Sequence, residues 1–180
     1  MSTSQTPDLS ATSSPAPLLA ISTADDDDRV VFESLWQLFR HEMSAFTGSF
    51  PDADGRYRQE RLDAALDPSE PGWIGYLFRI DDAPAGFAVV RGLDAEERVI
   101  NSFFLVNPAR RGGHGTAAVE AITALDPGRW AVAFQDANTA AAVFWPRIAA
   151  RLDPDFVLEH HAVPDRPDVP ADAWVRFRRR

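Results

Sequence analysis

The sequence predicts an α+β domain in which strand-like and helix-like segments alternate along one chain. Three observations carry this reading. Two apolar runs, Val99 to Val106 and Trp130 to Gln135, are too short for helices and rich in β-branched and aromatic residues. Two longer segments, Val31 to Phe46 and Thr116 to Leu125, instead place apolar residues at helical spacing. Finally, the first run closes on an Arg- and Gly-rich turn that opens directly into the second helix, so strand, turn and helix follow one another without a linker.

Taken in order, residues 1 to 16 are rich in Ser, Thr and Pro and are expected to form a disordered tail, leaving 17–180 as one domain. Leu18 to Ile21 is a first short strand. Asp25 to Asp28 supply an N-cap and an acidic first turn that complements a helix dipole. Val31, Leu35, Leu38, Phe39, Met43 and Phe46 mark the apolar face of the helix that follows, and Gly48 and Pro51 end it. Asp52 to Gly55 is a turn that lacks the further acidic ligands of a calcium loop. Tyr57 to Leu66 reads as a second short helix, stopped by Asp67-Pro68. Gly72 to Ile80 and Ala85 to Val90 form a hairpin around Asp81-Asp82-Ala83-Pro84. Leu93 to Arg98 is a charged turn before the strand at Val99.

The helix from Thr116 carries apolar residues at 117, 118, 121, 122 and 125, and Asp126 to Arg129 separates it from the strand at Trp130. Asn138 is a natural N-cap for a fourth helix. Phe156 to Val163 and Ala173 to Arg178 are the last two strands, joined by the loop Pro164 to Pro170. On that last strand Arg176, Arg178, Arg179 and Arg180 alternate with Trp174, Val175 and Phe177, the pattern of an edge strand with a basic outer face. The resulting order is β-α-α-β-β-β-α-β-α-β-β.

Composition excludes several function classes. A chain of 180 residues with 45% hydrophobic content supports one domain with a real core. With no cysteine there is no disulfide, thiol nucleophile or thiolate metal site. The four histidines, His41, His114, His160 and His161, show no ligand spacing, so no catalytic metal is expected. The net charge of −9 and pI of about 4.8 argue against nucleic acid as a partner. No apolar run reaches membrane-spanning length and no signal peptide is legible, so a cytoplasmic location is expected by default.

The chemistry concentrates at Asn101 to Thr116. Backbone N–H groups at a helix N-terminus point outward unpaired, and the macrodipole adds positive potential. Glycines let backbone approach a phosphate, and Arg110 and Arg111 bring charge. The Lys-Ser/Thr of a nucleoside-triphosphate loop is absent, as is Gly-x-Gly-x-x-Gly. What stands here is Arg110-x-x-Gly113-x-Gly115. It resembles the pyrophosphate signature of the GNAT superfamily of acyl-CoA N-acyltransferases. The resemblance continues at Asn138-x-x-Ala141-x-x-x-Trp145, where the family usually has Asn-x-x-Ala-x-x-x-Tyr, and it spans residues 17 to 178. Met43 to Tyr57, Phe103-Phe104 and Phe144-Trp145 resemble an uncharacterised bacterial subgroup.

That resemblance implies a GNAT fold: a three-layer α+β domain with a mixed central sheet of six to seven strands and about four helices. It implies acetyl transfer from acetyl-CoA to a primary amine of a small molecule or protein, without a metal, and it allows a homodimer. A GNAT-fold acyl-CoA-binding module with little turnover is the alternative. By the resemblance, the backbone of Phe103, Phe104 and Leu105 would hold the pantetheine arm at a bulge, with an N–H near Phe103 polarising the acyl carbonyl. Amides of Arg111, Gly112, Gly113, His114, Gly115 and Thr116 would bind the pyrophosphate, with Arg110 as the family's Arg/Gln position. Asn138 would touch pantetheine. Trp145 stands where a Tyr commonly acts as acid, and indole N–H is a donor but no useful acid. Solvent or the amine proton is expected to serve instead, since a thiolate leaves readily without help; the other candidates are Tyr57 and Tyr76, the sole tyrosines. His41, Glu42, Asp52, Asp54 and Asp136 fall in segments that would line the acceptor cleft and supply a base.

Overall fold

A computed structural model describes residues 18–180, so the expected tail at residues 1 to 16 lies outside the described residues. Seven strands form one sheet: β1 Leu19–Thr23, β2 Trp73–Ile80, β3 Ala83–Arg91, β4 Glu97–Leu105, β5 Gly128–Phe134, β6 Val157–His161 and β7 Asp172–Arg179. Four α-helices flank it: α1 Arg29–Thr47, α2 Glu60–Leu66, α3 His114–Leu125 and α4 Thr139–Leu152. The sheet order is β1-β2-β3-β4-β5-β7-β6. Only β4 and β5 run parallel, joined by the crossover helix α3; the other neighbours are antiparallel. This is the expected mixed sheet of a three-layer α+β domain.

Alternation along the strands divides the core into two layers, because successive side chains leave a strand on opposite faces. Tyr76, Phe78, Ala88 and Ile100 join Ile122 and Ile148 on the α3/α4 face. Leu77, Phe87, Val89 and Phe104 join Phe32, Trp36 and Leu62 on the α1/α2 face. Burying each such large side chain contributes roughly 1.5–3 kcal/mol.

Sheet packing decides details that periodicity leaves open. On α1 the buried residues are Phe32, Leu35 and Trp36, whereas Leu38 and Phe46, expected on the core face, are 51% and 40% exposed. Trp36 anchors this rotation: its indole donates to the Arg58 carbonyl at 2.8 Å. On α3 the buried stripe is Gly115, Ala118, Val119 and Ile122, and residues 117, 121 and 125 face solvent. A helix with apolar residues over more than one stripe buries whichever stripe the sheet meets.

The expected bounds shift at several elements. The aspartates at 26–28 form a 3-10 turn capped by Asp25, whose carboxylate accepts from the Asp27 N–H. α2 starts at Glu60 instead of Tyr57, because the Tyr57 backbone is held by both ends of the Gln37 side-chain amide. The hairpin turn is tighter than expected: Asp81 and Asp82 alone carry it, at φ 48° and 66°, and β3 starts at Ala83. Aspartate tolerates the left-handed region such turns require.

The C-terminal strands bring the main correction. β7 is not an edge. It lies between β5 and β6, and Arg176 pairs with Glu97 and Glu159. β6 is the edge. It ends at His161, and all five of its residues are exposed, His160 and His161 included. A two-strand return whose second strand inserts inside the first is a long-range pairing that local pattern does not encode.

Candidate functional site

β4 pairs with β3 along most of its length but with β5 only from Glu97 to Ile100. Beyond the Ile100–Val132 pair the two parallel strands part, while β5 continues against β7 as far as Phe134. Residues 101–105 of β4 therefore present an edge with no ladder partner on the β5 side among the described residues. Unpaired strand backbone is a row of donors and acceptors awaiting a partner. Asn101 is the extra residue where the β3–β4 register shifts, so the bulge falls two residues before Phe103, not at it.

A cleft of about 950 Å³ opens at this parting. Phe103, Phe104 and Leu105 of β4 line it, with Arg110, Arg111, Gly113, Gly115 and Thr116 of the following turn and helix. Asn138 and Trp145 of α4 form another wall, and the end of α1, from Phe39 to Phe46, completes it. The structure thus brings ten of the twelve residues singled out in the sequence to one cleft. Gly112 and His114 do not line it; a Cβ at Gly112 would meet the His114 ring at 3.1 Å.

The turn builds an anion cradle from backbone. Arg111 and Gly113 both sit in the left-handed region, at φ 68° and 84°. The first helical hydrogen bond of α3 runs from Ala117 N–H to Gly113 C=O, at 3.0 Å. The amides of His114, Gly115 and Thr116 lie ahead of it, and the glycine N-cap has no side chain to satisfy them. Gly113 serves backbone conformation. Gly115 serves packing: a Cβ there would lie 3.2 Å from the Phe144 ring and 3.3 Å from Leu105. Its absence lets α3 start hard against α4 and β4.

Arg110 braces the turn. Its Nε donates to the Leu105 carbonyl at 2.7 Å, its Nη2 donates to both Glu42 oxygens at 2.8 Å, and the guanidinium lies 5.5 Å from the Phe104 ring centre. The chain reversal and the end of α1 are therefore tied by one side chain. This bond spans 68 positions of sequence, and no local signal announces it. The uncommitted charge at the turn belongs to Arg111.

On α4, Asn138 caps the helix through Oδ1, which accepts from Ala141 N–H at 3.1 Å. Its Nδ2 meets no partner among the described residues. Trp145 is buried, with its ring 5.4 Å from Phe103 and 4.9 Å from Phe144, edge-on to both. It shapes the cleft wall and holds Phe103. Phe104, next along the strand, packs in the other core layer. The two phenylalanines thus lock β4 from both faces while the backbone between them stays available.

The acid and base candidates separate by position. Tyr57 and Tyr76 do not line the cleft. Tyr76 sits in the core, where burial, with a smaller contribution from Asp126, raises its phenol pKa. Asp52 pairs with Arg58, Asp54 accepts from the Arg56 N–H, and Asp136 meets His160 at 2.9 Å. Of the five base candidates only His41 and Glu42 face the cleft, and Glu42 is committed to Arg110. Among the described residues no group of three or more His, Asp or Glu is placed to hold a metal, and no helix is long and apolar enough to cross a membrane.

A mixed sheet whose parallel pair parts above an Arg/Gly turn defines the class: an α+β domain with an open strand edge beside a helix-start anion cradle. The sequence places it further. A model of the acetyltransferase (GNAT) family matches residues 35–149, more than half of the chain, and the protein belongs to that family. Solved structures share the fold at low identity. An acetyltransferase from Thermus thermophilus superposes with a TM-score of 0.64 at 14% identity, over 89% of this chain and 96% of its own. The PaiA N-acetyltransferase of Thermoplasma acidophilum, solved with coenzyme A, gives 0.62 at 12%, over 89% and 99%. Arabidopsis thaliana Naa50, solved with the bisubstrate analogue CoA-Ac-MVNAL, gives 0.57 at 15%, over 88% and 97%. No curated protein matches the chain by sequence.

Proposed function

We propose that the protein is an acetyl-CoA-dependent N-acetyltransferase that moves the acetyl group directly to a primary amine. The observation that carries this reading is the parting of β4 from β5 at Ile100, directly before a turn with unpaired helix-start amides. A thioester arm needs an extended partner that offers backbone hydrogen bonds, and a pyrophosphate needs amides aimed at it. The two lie end to end in one cleft. The relatives solved with coenzyme A or a CoA analogue support the choice of donor.

Bound acetyl-CoA supplies an activated acyl carbon and a thiolate that leaves readily. We assign the amides from Arg111 to Thr116 to the pyrophosphate, and the edge of Phe103 to Leu105, with Asn138, to the pantetheine arm. The N–H at Phe103 would meet the acyl oxygen as it gains charge. The amine nitrogen bonds to the acyl carbon, the carbon–sulfur bond breaks, and the amine proton passes to His41 or to water. Trp145 donates no proton, so the thiolate leaves unassisted. A net charge of −9 favours a cationic amine as acceptor, on a small molecule or a protein, and disfavours nucleic acid.

One observation favours a second reading, an acyl-CoA-binding module with little turnover. Trp145 is buried where the family's acid usually stands. Thiol release from acetyl-CoA in the presence of an amine panel separates the two. The chain has no cysteine, so a thiol reagent reads CoA alone. Release above hydrolysis with at least one amine is expected. Tight CoA binding with no release across polyamines, amino acids and peptide N-termini would favour the binding module.

A further inference from the structure

One arginine of the cleft has no task in acetyl transfer as proposed, and its position assigns one that rests on that reading. α3 and α4 lie side by side, and two contacts set their register. Gly115, at the start of α3, abuts the Phe144 ring. Further along, Arg151 of α4 forms an ion pair with Glu120 of α3. Arg147 stands between them, about one helical turn past Phe144 and one before Arg151. It is therefore level with the first turn of α3, near Thr116.

The contrast with Arg151 is informative. Arg151 meets a carboxylate on α3, whereas at the level of Arg147 the facing turn carries Gly115, Thr116 and Ala117 and no acid. Arg147 makes no ion pair, hydrogen bond or ring contact among the described residues, and it lines the cleft. Arg111, in the turn just before the same helix start, also lines the cleft and is equally unpartnered among the described residues. In a chain where 27 acidic residues outnumber 18 basic ones, two unmatched guanidinium groups at one helix start concentrate positive potential for an anion.

Coenzyme A carries phosphate at two places, the pyrophosphate and the ribose 3′-phosphate. The amides of His114 to Thr116 and the Arg111 turn provide for the first. Phe144 stands on α4 between Phe103 and Arg147, which puts Arg147 on the side away from the acyl end. We propose that Arg147 binds the ribose 3′-phosphate and makes the cleft selective for CoA over dephospho-CoA. A phosphate monoester carries between one and two charges at neutral pH, and a guanidinium fork meets two of its oxygens at once. The exposed side chain holds nothing else in place, so its replacement leaves the fold intact.

Calorimetry on the full chain with CoA and dephospho-CoA tests this. Wild type is expected to bind CoA about tenfold more tightly than dephospho-CoA. Arg147→Gln should erase that difference by weakening CoA alone, while Arg111→Gln should weaken both ligands alike. An equal loss on both ligands in Arg147→Gln, or no loss on either, overturns the assignment. Failure of wild type to bind either ligand would instead overturn the acyl-CoA reading on which it rests.

Discussion

At Val99 and Ile100, β4 has a partner on each side; past the bulge at Asn101, from Ser102 to Leu105, it has β3 alone. The paired half is closed further by side chains. Arg98 bridges both oxygens of Asp126, and the Trp130 indole donates to the Asp126 carbonyl at 3.1 Å. Val99 and Ile100 are buried there. The open half is held by its ladder to β3 and from its faces, by Phe103 against α4 and Phe104 against α1 and β3, and its other edge has no strand partner among the described residues. One strand thus couples a rigid anchor to an exposed backbone. The rigidity of the first half is what lets the second stay preorganised without a partner on that edge.

Substitutions should therefore divide into those that move stability and those that move binding. The largest effect belongs to the anchored half. Ile100→Ala leaves a cavity in the α3/α4 layer and should cost about 2–5 kcal/mol in denaturant unfolding, with CoA affinity of the folded fraction unchanged. A matching collapse of affinity would show that the two halves are not separable. Gly113→Val should do the reverse. Its φ of 84° disfavours a β-branched residue, and the added side chain enters open space beside the amides. At least tenfold weaker CoA binding, about 1.4 kcal/mol, is expected. Unchanged binding by a folded variant would remove the turn from the site.

A pH experiment sharpens the anchored side. Burial raises the Tyr76 pKa above its ordinary value of 10.0, with Asp126 adding to the shift. The folded protein then keeps this proton where the unfolded chain loses it. Stability from Tyr76 is present in full below about pH 10 and is lost as pH rises through the folded-state value. Tyr76→Phe should flatten that part of the alkaline loss in urea midpoints measured from about pH 8 to 11. A decline as steep as in wild type would assign it to other groups.

The smallest effect is expected at the open half. Trp145→Phe preserves an aromatic ring against Phe103 and should keep most transferase activity once an acceptor is known. Trp145→Tyr should add little. A rise of about a hundredfold, the scale of general acid catalysis, would mean that protonation of the leaving thiolate limits turnover.

The order of the strands and α-helices was legible in the sequence, because strand and helix periods are local properties of consecutive residues. The sequence also brought out the Arg110–Gly115 turn and the Asn138 cap, since each acts through its own neighbours in the chain. Tertiary structure alone decided which helix stripe is buried. It chose Phe32 and Trp36 over Leu38 and Phe46, because the sheet meets one face of α1 and leaves the other to solvent. It inserted β7 between β5 and β6, making the exposed β6 the edge instead of the arginine-bearing strand. It also turned Glu42 from a candidate base into the partner of Arg110, and it joined Arg151 of α4 to Glu120 of α3. These are contacts between residues tens of positions apart. They follow from how layers pack around a parting pair of strands, and no local pattern carries that information.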